Sequence, residues 1–274
     1  MSDSVAVESE SDPVFVCGPP RSGVRLLATI LDGHAALGSG PELPFVVTMA
    51  QQWRDLDATL GINHEKNYDL PRGATRQAFR SAMLQLFAER LRRKRKQAFV
   101  YHSFAAALCM DALGAIFPHA KFIVTMRDPR AIAHSLLRCD WRNPRTGEPL
   151  PYTLDTEAGA RFVTDFVQTI LRAASAPALR SRVSFLRYED LCRQSTEVLA
   201  QLATFLAIEP IGPAISATAA AEIAASADAP HPPLRPSTID AESIARWRTS
   251  LSANDIGKIE THAGPLFRVF GYVR

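Results

Sequence analysis

A repeated alternation of short apolar runs with helical patterns constrains the fold of this chain more than any other feature. Each run has the length of a buried strand, and apolar residues recur at helical spacing in the segment after it. The pairs are Pro13–Cys17 with Ser22–Asp32, Ala98–Tyr101 with Phe104–Ile116, Lys121–Met126 with Arg130–Arg138, and Val183–Leu186 with Glu189–Leu206. Such alternation predicts an α/β fold of three layers, with a central parallel sheet flanked by helices.

Length and composition fit a single folded unit. The chain has 274 residues, of which 47% are hydrophobic, enough for one large core. Residues 1–11 are mostly acidic and polar, so we expect a disordered N-terminal segment followed by one domain over 12–274. No apolar run approaches the roughly 18 residues of a membrane helix, and we therefore expect a cytoplasmic protein without a membrane span.

The balance of charges argues against a dedicated nucleic-acid binder. Lysine and arginine number 31 and aspartate and glutamate 28, a net charge of only +3, which still suits small anionic ligands. We interpret the basic run Arg90–Lys96 as solvated cations at a helix end.

The four cysteines are scattered without paired spacing, and the histidines show no metal-ligand spacing. We expect a reducing compartment and no metal.

The first strand-helix connection has the form of an anion-binding turn. It reads Gly18-Pro-Pro-Arg-Ser-Gly23, and a helix N-terminus at the carboxyl end of a parallel strand offers N–H groups to an anion. A nucleotide-triphosphate loop would continue with Lys and Ser or Thr, but Val24 and Arg25 stand there. The turn predicts a P-loop-like fold without ATP or GTP hydrolysis, in which Arg21 and Arg25 supply the positive charge.

This turn resembles the 5′-phosphosulfate loop of sulfotransferases that use 3′-phosphoadenosine 5′-phosphosulfate (PAPS). In that superfamily the loop commonly runs Pro-Arg/Lys-Ser-Gly-Thr-Thr. The resemblance implies that Arg21, with the backbone of Ser22, Gly23, Val24 and Arg25, holds the phosphosulfate. Val24 and Arg25 depart from the pattern, because they replace both threonines.

Three further motifs follow in the order that the superfamily shows. Lys121–Leu137 resembles the strand and helix that bind the 3′-phosphate, with Arg127 at the strand end and Ser135 eight positions later. Tyr188 matches a tyrosine that commonly lies by the nucleotide, and Arg246 falls in a region that often contacts its phosphates. The resemblance spans nearly the whole chain and implies PAPS as co-substrate, without a metal.

The arrangement is closest to the branch that contains the tyrosylprotein sulfotransferases and many bacterial enzymes. In that branch a glutamate after the first helix is the proposed catalytic base, and Glu42 falls at that place. His102 lies at the position of the catalytic histidine in the cytosolic aryl and steroid sulfotransferases. There it could act as a base or, when protonated, stabilise negative charge on the bridging oxygen. With Arg21, these residues are the candidate catalytic groups.

The resemblance implies transfer of a sulfuryl group from PAPS to a hydroxyl or amine, with release of adenosine 3′,5′-bisphosphate (PAP). The acceptor stays open among small molecules, carbohydrates and peptides, and so does the oligomeric state, a homodimer included. We expect the acceptor pocket to be lined by three helices: one after Glu42, one over Ala74–Lys94 and one over Thr156–Ala176. Two alternatives stay open as well: a P-loop-like nucleotide kinase, and a catalytically weak relative that binds PAPS or PAP.

Overall fold

A five-stranded parallel sheet forms the centre of the protein. The computed structural model describes residues 11–60, 63–71, 73–212 and 244–273. The strands β1 to β5 lie in the order β2-β3-β1-β4-β5, with every pairing parallel. Their bounds are Val14–Cys17, Leu37–Gly38, Ala98–His102, Lys121–Met126 and Val183–Arg187. The predicted α/β architecture is confirmed, and β1 occupies the middle of the sheet.

Helices cover both faces of this sheet. The helices α1 to α12 run over Val24–Asp32, Pro44–Leu60, His64–Tyr68, Ala74–Lys94, Met110–Ile116, Pro129–Leu136, Thr156–Ser175, Tyr188–Arg193, Ser195–Leu206, Trp247–Ser250, Ala253–His262 and Gly264–Phe270. Short 3₁₀ helices span Ala105–Cys109 and Pro151–Thr153. The Ala74–Lys94 helix begins and ends where the sequence predicted.

Alternate residues of β1 enter two separate hydrophobic cores. Phe15 and Cys17 lie in the core under α2, α4, α5 and α7, whereas Val14 and Val16 lie in the core under α1 and α9. This follows from the two-residue repeat of a strand, which sends successive side chains to opposite faces. Phe15 stacks on Phe122 of β4 at 5.0 Å between ring centroids and meets Tyr101 of β3 at 5.8 Å. Aromatic packing across the three middle strands therefore fixes the carboxyl ends of β1, β3 and β4 side by side.

Two predicted helices are interrupted. The expected helix Glu189–Leu206 is divided into α8 and α9 at Gln194, whose φ of −134° and ψ of 47° are not helical. The expected helix Phe104–Ile116 begins as a 3₁₀ turn and becomes α5 only after Cys109, whose φ is −131°. The short strand β2 was not predicted, because two residues carry no periodicity.

Some expectations fall where the structure gives no description. Residues 1–10 of the predicted disordered segment lie outside the described residues. Ser11, the last residue of that segment, is described, and its hydroxyl donates to the Gln97 carbonyl at 3.4 Å. Among the described helices, none is long and apolar enough to cross a membrane.

Candidate active site

The loop between β1 and α1 has the backbone of a tight anion turn. Gly18, Arg21 and Gly23 have φ values of 144°, 71° and 103°, the last two being typical of left-handed backbone. A Cβ on Gly18 would lie 2.3 Å from the Thr125 carbonyl oxygen of β4, so only glycine fits there. The loop ends as α1 begins, and the first bond from that helix runs from Leu27 N to Gly23 O at 3.0 Å.

Ser22 anchors this loop rather than facing a ligand. Its side chain is fully buried, and its hydroxyl donates to the Pro19 carbonyl at 2.6 Å and lies 2.7 Å from Thr125 Oγ1. Its backbone N–H donates to Pro19 O at 3.2 Å. Of the predicted backbone donors, the helix-start amides of Val24 and Arg25 remain the better candidates, because a helix does not satisfy its first N–H groups internally.

The two predicted phosphate motifs converge at the carboxyl ends of β1 and β4. Arg21 Nε donates to Ser135 Oγ at 2.8 Å, although 114 positions separate the residues. Arg127 Nη1 donates to the Arg21 carbonyl oxygen at 3.3 Å. Burial lowers the pKa of Arg21, and the charge of Arg127 lowers it further. Cys139 raises this pKa, but by less than burial lowers it. Two guanidinium groups and a hydroxyl thus lie together in a partly buried place, as a bound polyanion requires.

Tyr188 is buried behind these groups. Its ring is 2% exposed, and the Arg127 guanidinium carbon lies 4.4 Å from the ring centroid. A Cβ on Gly23 would come within 2.7 Å of Tyr188 Cδ2. The ring therefore fills the space between the anion loop and Arg127. This burial favours a role for Tyr188 in positioning both elements, and its place by the nucleotide stays a prediction.

Further cations surround the Arg127 end of the site. Burial lowers the pKa of His134, and the charges of Arg138, Arg127 and Arg246 lower it further. Arg246 is itself exposed, so its predicted contact with the nucleotide would come from the rim. The concentration of positive charge suits a phosphate dianion next to Ser135.

A buried ionic network holds the turn that carries Arg127. Asp128 caps α6, and Arg130 Nη2 donates to Asp128 Oδ2 at 2.7 Å and to the Val273 carbonyl at 2.7 Å. The Arg130 guanidinium carbon also lies 4.2 Å from the Trp247 ring centroid. From α8, Glu189 accepts the Asp128 N–H at 2.9 Å, and burial raises the pKa of this carboxyl. The chain end is thus bound to the start of the predicted 3′-phosphate helix.

Glu42 lies just before α2 and contacts Ser103, the residue that follows β3. Its Oε1 accepts a hydrogen bond from the Ser103 hydroxyl at 2.5 Å, and the next residue, Leu43, accepts one from Tyr101 OH at 2.9 Å. Burial, and next the charge of Glu42, raise the pKa of Tyr101. Glu42 itself is exposed. The carboxylate is therefore held at one point and is open to an incoming acceptor on its solvent side.

His102 ends β3 opposite Val16, one strand from the start of the loop. Its Nδ1 lies 3.4 Å from Ser39 Oγ. Burial, then the charges of Arg25 and Arg90, lower the pKa of His102 to about 4, with Asp32 opposing them. The imidazole is thus neutral at pH 7 in this state, which favours the base over the protonated partner among the two predicted roles.

Arg25 and Arg90 give this side of the site its positive charge. Arg25 follows the first residue of α1 and is half-buried. Arg90 Nη1 donates to the Pro41 carbonyl at 3.2 Å, and a Cβ on Gly40 would lie 2.1 Å from that nitrogen. Two other cations of the basic run bind the fold: Lys94 Nζ donates to Asp32 Oδ2 at 2.5 Å and Lys96 Nζ to the His34 carbonyl at 2.7 Å.

Comparison with known proteins shows the family to which this chain belongs. A family model described as "Sulfotransferase family" matches residues 13–211, which is most of the chain. The chain belongs to the sulfotransferase family. The match includes β1 to β5 and every predicted site residue except Arg246.

Two relatives show how far the sequence similarity extends. Protein-tyrosine sulfotransferase 1 of Danio rerio is 33% identical over 129 residues, covering 45% of this chain and 35% of that protein. Nodulation protein NoeE of Sinorhizobium fredii is 25% identical over 271 residues, covering 91% of this chain and 63% of NoeE. The alignments thus span between about a third and two thirds of these relatives.

Solved sulfotransferase structures share the fold. The sulfotransferase domain from the curacin biosynthetic pathway superposes with a TM-score of 0.60 at 22% identity, covering 92% of this chain and 97% of that domain. Mouse sulfotransferase SULT7A1, solved in complex with PAP, superposes with a TM-score of 0.54 at 14% identity, covering 94% of this chain and 84% of that one. These likenesses support the three-layer P-loop-like fold.

Several residues of this sulfotransferase site were not predicted from the sequence. Serine and threonine hydroxyls support the predicted groups: Thr125 holds Ser22, Ser39 faces His102, and Ser103 binds Glu42. Single hydroxyl residues carry no pattern of their own. Ser103 directly follows the strand end at His102, and that position was the one signal that could have identified it.

Proposed function

We propose that this protein transfers a sulfuryl group from PAPS to a hydroxyl or amine acceptor and releases PAP. The observation that carries the proposal is the convergence of Arg21, Arg127 and Ser135, with 2.8 Å between Arg21 Nε and Ser135 Oγ. This convergence joins the loop expected to bind the phosphosulfate to the helix expected to bind the 3′-phosphate. Membership of the sulfotransferase family and the PAP complex of a structural neighbour support the same donor.

The donor would bind across the carboxyl ends of β1 and β4. Ser135 and Arg127, with His134 and Arg246 nearby, fit the 3′-phosphate. Arg21 and the first amides of α1, at Val24 and Arg25, fit the phosphosulfate, with Ser22 and Gly23 shaping the loop. Tyr188 supports Arg127 and Gly23 from behind. A site built for a 3′-phosphate discriminates against ATP, because ATP lacks that group.

Glu42 is the proposed general base. The donor supplies an electrophilic sulfur; the acceptor oxygen forms a bond to this sulfur as the bond to the phosphate oxygen of PAP breaks. The acceptor proton must leave during this exchange, and Glu42 can take it because its carboxylate is exposed and held by Ser103. Arg21 and Arg25 offset the negative charge that grows on the leaving phosphate.

His102 is proposed as an assisting base. Its low pKa keeps the imidazole neutral at pH 7, so that it can accept a proton. Ser39 fixes the ring through Nδ1, which leaves Nε2 for this task. The bound donor brings negative charge that raises the pKa of His102 again and strengthens it as a base.

A transfer assay with ³⁵S-labelled PAPS and a broad acceptor panel tests this function. We expect transfer by the wild type and a loss of about a hundredfold or more in kcat for Glu42→Gln, as is usual when a general base is removed. Glu197→Gln, which changes an exposed carboxylate on α9, is the matched control. His102→Ala should lose activity as well, with the exposed His119, which precedes β4 at the opposite end of the sheet, as its control.

Full activity of both Glu42→Gln and His102→Ala would reject these catalytic assignments. PAP binding without transfer to any acceptor would favour the catalytically weak relative instead. Binding of ATP without binding of PAP would favour the kinase.

A further inference from the structure

Glu189 is an acidic residue that folding removes almost entirely from water. It lies in the first turn of α8, directly after Tyr188, and is 3% exposed. A buried carboxylate is costly unless hydrogen-bond donors surround it, so its partners indicate its role. Its Oε1 accepts the Asp128 N–H at 2.9 Å, and its Oε2 accepts the Tyr272 hydroxyl at 3.2 Å. Glu189 therefore joins three segments that lie far apart in the sequence.

The hydrogen bond to Asp128 bears directly on Arg127. The Asp128 N–H belongs to the planar peptide group between Arg127 and Asp128, so Glu189 fixes the backbone from which the Arg127 side chain leaves. The residue before Glu189, Tyr188, contacts the other end of that side chain, with 4.4 Å between its ring centroid and the guanidinium carbon. Two consecutive residues of α8 thus hold Arg127, one at the backbone and one at the guanidinium group.

Tyr272 fixes the carboxylate from its second side. Tyr272 is 8% exposed, its N–H donates to the Phe267 carbonyl at 2.9 Å, and the two rings lie 6.3 Å apart between centroids. The Arg187 guanidinium carbon lies 4.6 Å from the centroid of the Tyr272 ring. Burial, and then the charge of Glu189, raise the pKa of Tyr272, so the phenol keeps its proton as the donor of this hydrogen bond.

The charge of Glu189 does not explain its place beside an anion site. Burial raises the pKa of this carboxyl, and the charge of Arg127 is among the effects that lower it, so the two groups interact electrostatically. A carboxylate at this place partly offsets the charge of Arg127 and works against a bound phosphate. The hydrogen bonds of Glu189 therefore account for its position better than its charge does.

We propose that Glu189 and Tyr272 are positioning residues for the 3′-phosphate of the donor and act through Arg127. This inference rests on the proposed sulfuryl transfer, since it concerns the nucleotide of that reaction. A hydrogen bond weakens steeply when its donor is turned away, so a shift of the Arg127 backbone weakens the bond to a phosphate. The two residues then set how strongly the protein prefers PAP over AMP, which lacks only the 3′-phosphate.

Calorimetric titration of PAP and AMP into each variant tests the inference without requiring turnover. The ratio of the two affinities isolates the 3′-phosphate, because both nucleotides share the adenosine and the 5′-phosphate. Glu189→Ala should lower this ratio about tenfold, the effect of one weakened charge-assisted hydrogen bond. Tyr272→Phe should lower it about threefold, because Glu189 keeps its bond to Asp128 but loses its second support. Glu189→Gln should keep the ratio or raise it, since its amide oxygen still accepts the Asp128 N–H and a negative charge near Arg127 is gone.

Met83→Ala is the control for lost stability. Met83 is a fully buried residue of α4 in the core that contains Phe15, and its removal leaves a cavity that lowers the free energy of unfolding. The ratio of PAP to AMP affinity should stay unchanged in this variant. Urea denaturation measures the stability of every variant. A fall in the ratio for Met83→Ala as large as that for Glu189→Ala would show an effect of stability alone and overturn the proposal.

The outcomes separate this proposal from the proposed function. If the wild type prefers PAP, and both Glu189→Ala and Tyr272→Phe keep that preference in full, the positioning role is wrong while sulfuryl transfer stands. A fall for Glu189→Gln as large as that for Glu189→Ala would also overturn it, because the bond to Asp128 is retained. Should Glu189→Ala not fold, an unchanged ratio in Tyr272→Phe is sufficient to reject the role. If the wild type binds PAP no more tightly than AMP, the proposed function fails, and the positioning role fails with it.

Discussion

Gly23→Ala tests the contact between the anion loop and Tyr188. Gly23 precedes α1 with φ 103° and ψ 12°, and Gly73 precedes α4 with nearly the same geometry, φ 91° and ψ −1°. An alanine in left-handed backbone costs about 1–2 kcal/mol, and both positions carry this cost. Gly73→Ala is therefore a control matched in conformation.

The two variants differ in the atoms that the new Cβ would meet. A Cβ on Gly23 would lie 2.7 Å from Tyr188 Cδ2, whereas one on Gly73 meets only an Arg76 nitrogen at 3.4 Å. Relaxed carbon contacts lie at about 3.5–4.0 Å, so the Tyr188 ring must move by roughly 1 Å. Overpacking of this kind costs a further 1–3 kcal/mol, roughly. We expect Gly23→Ala to lose about 2–5 kcal/mol of unfolding free energy and Gly73→Ala about 1–2 kcal/mol.

Ligand affinity gives the sharper difference between the variants. The ring that moves lies against Arg127, so Gly23→Ala should weaken PAP binding by about tenfold, the scale of one lost cation–π support. Gly73→Ala should bind PAP like the wild type. Urea denaturation gives the stabilities and calorimetry the affinities. Equal stability losses in the two variants, together with an unchanged PAP affinity in Gly23→Ala, would refute the positioning role of Tyr188.

Three further predictions concern buried charge. Arg130→Ala should cost about 3–5 kcal/mol in urea denaturation because it leaves Asp128 buried and unpaired, whereas breaking the exposed Arg142–Asp140 pair should cost less than about 1 kcal/mol. The pKa of His102 is about 4 in the folded protein, below its ordinary 6.5, so the free energy of unfolding should fall by about 3 kcal/mol as the pH drops from 6.5 to about 4. In denaturation measured against pH, His102→Asn should remove most of this fall, and His119→Asn should not. Arg25→Thr should raise the pKa of His102 in an NMR titration, because it removes the cation whose charge lowers that pKa most. An unchanged pKa would contradict this electrostatic interaction.

The sequence predicted the fold because its signals are local and strong. The helix predicted from Thr156 begins at that residue, where Asp155 caps it, and the apolar run over β4 is buried along nearly its whole length. The break at Gln194 had no such signal, since neither Gly nor Pro marks it and apolar residues continue on both sides. β2 is too short to have a period, and its pairing with β3 is a tertiary contact.

The donor side of the site was predictable from motifs, but its support was not. Arg127 and Ser135 stand at a fixed spacing, and the structure brings them to one place with Arg21. The burial of Tyr188 depends on the close approach of Gly23, which only three-dimensional packing reveals.

Calorimetric titration of PAP, ATP and AMP into the wild type and Arg127→Ala tests the central claim most directly. If the site is built for a nucleotide with a 3′-phosphate, PAP should bind at least a hundredfold more tightly than ATP or AMP. Arg127→Ala should remove most of that preference, since a charge-assisted hydrogen bond to the 3′-phosphate is lost. Wild-type protein that binds ATP as well as PAP, or an Arg127→Ala variant that keeps the full preference for PAP, would contradict the account.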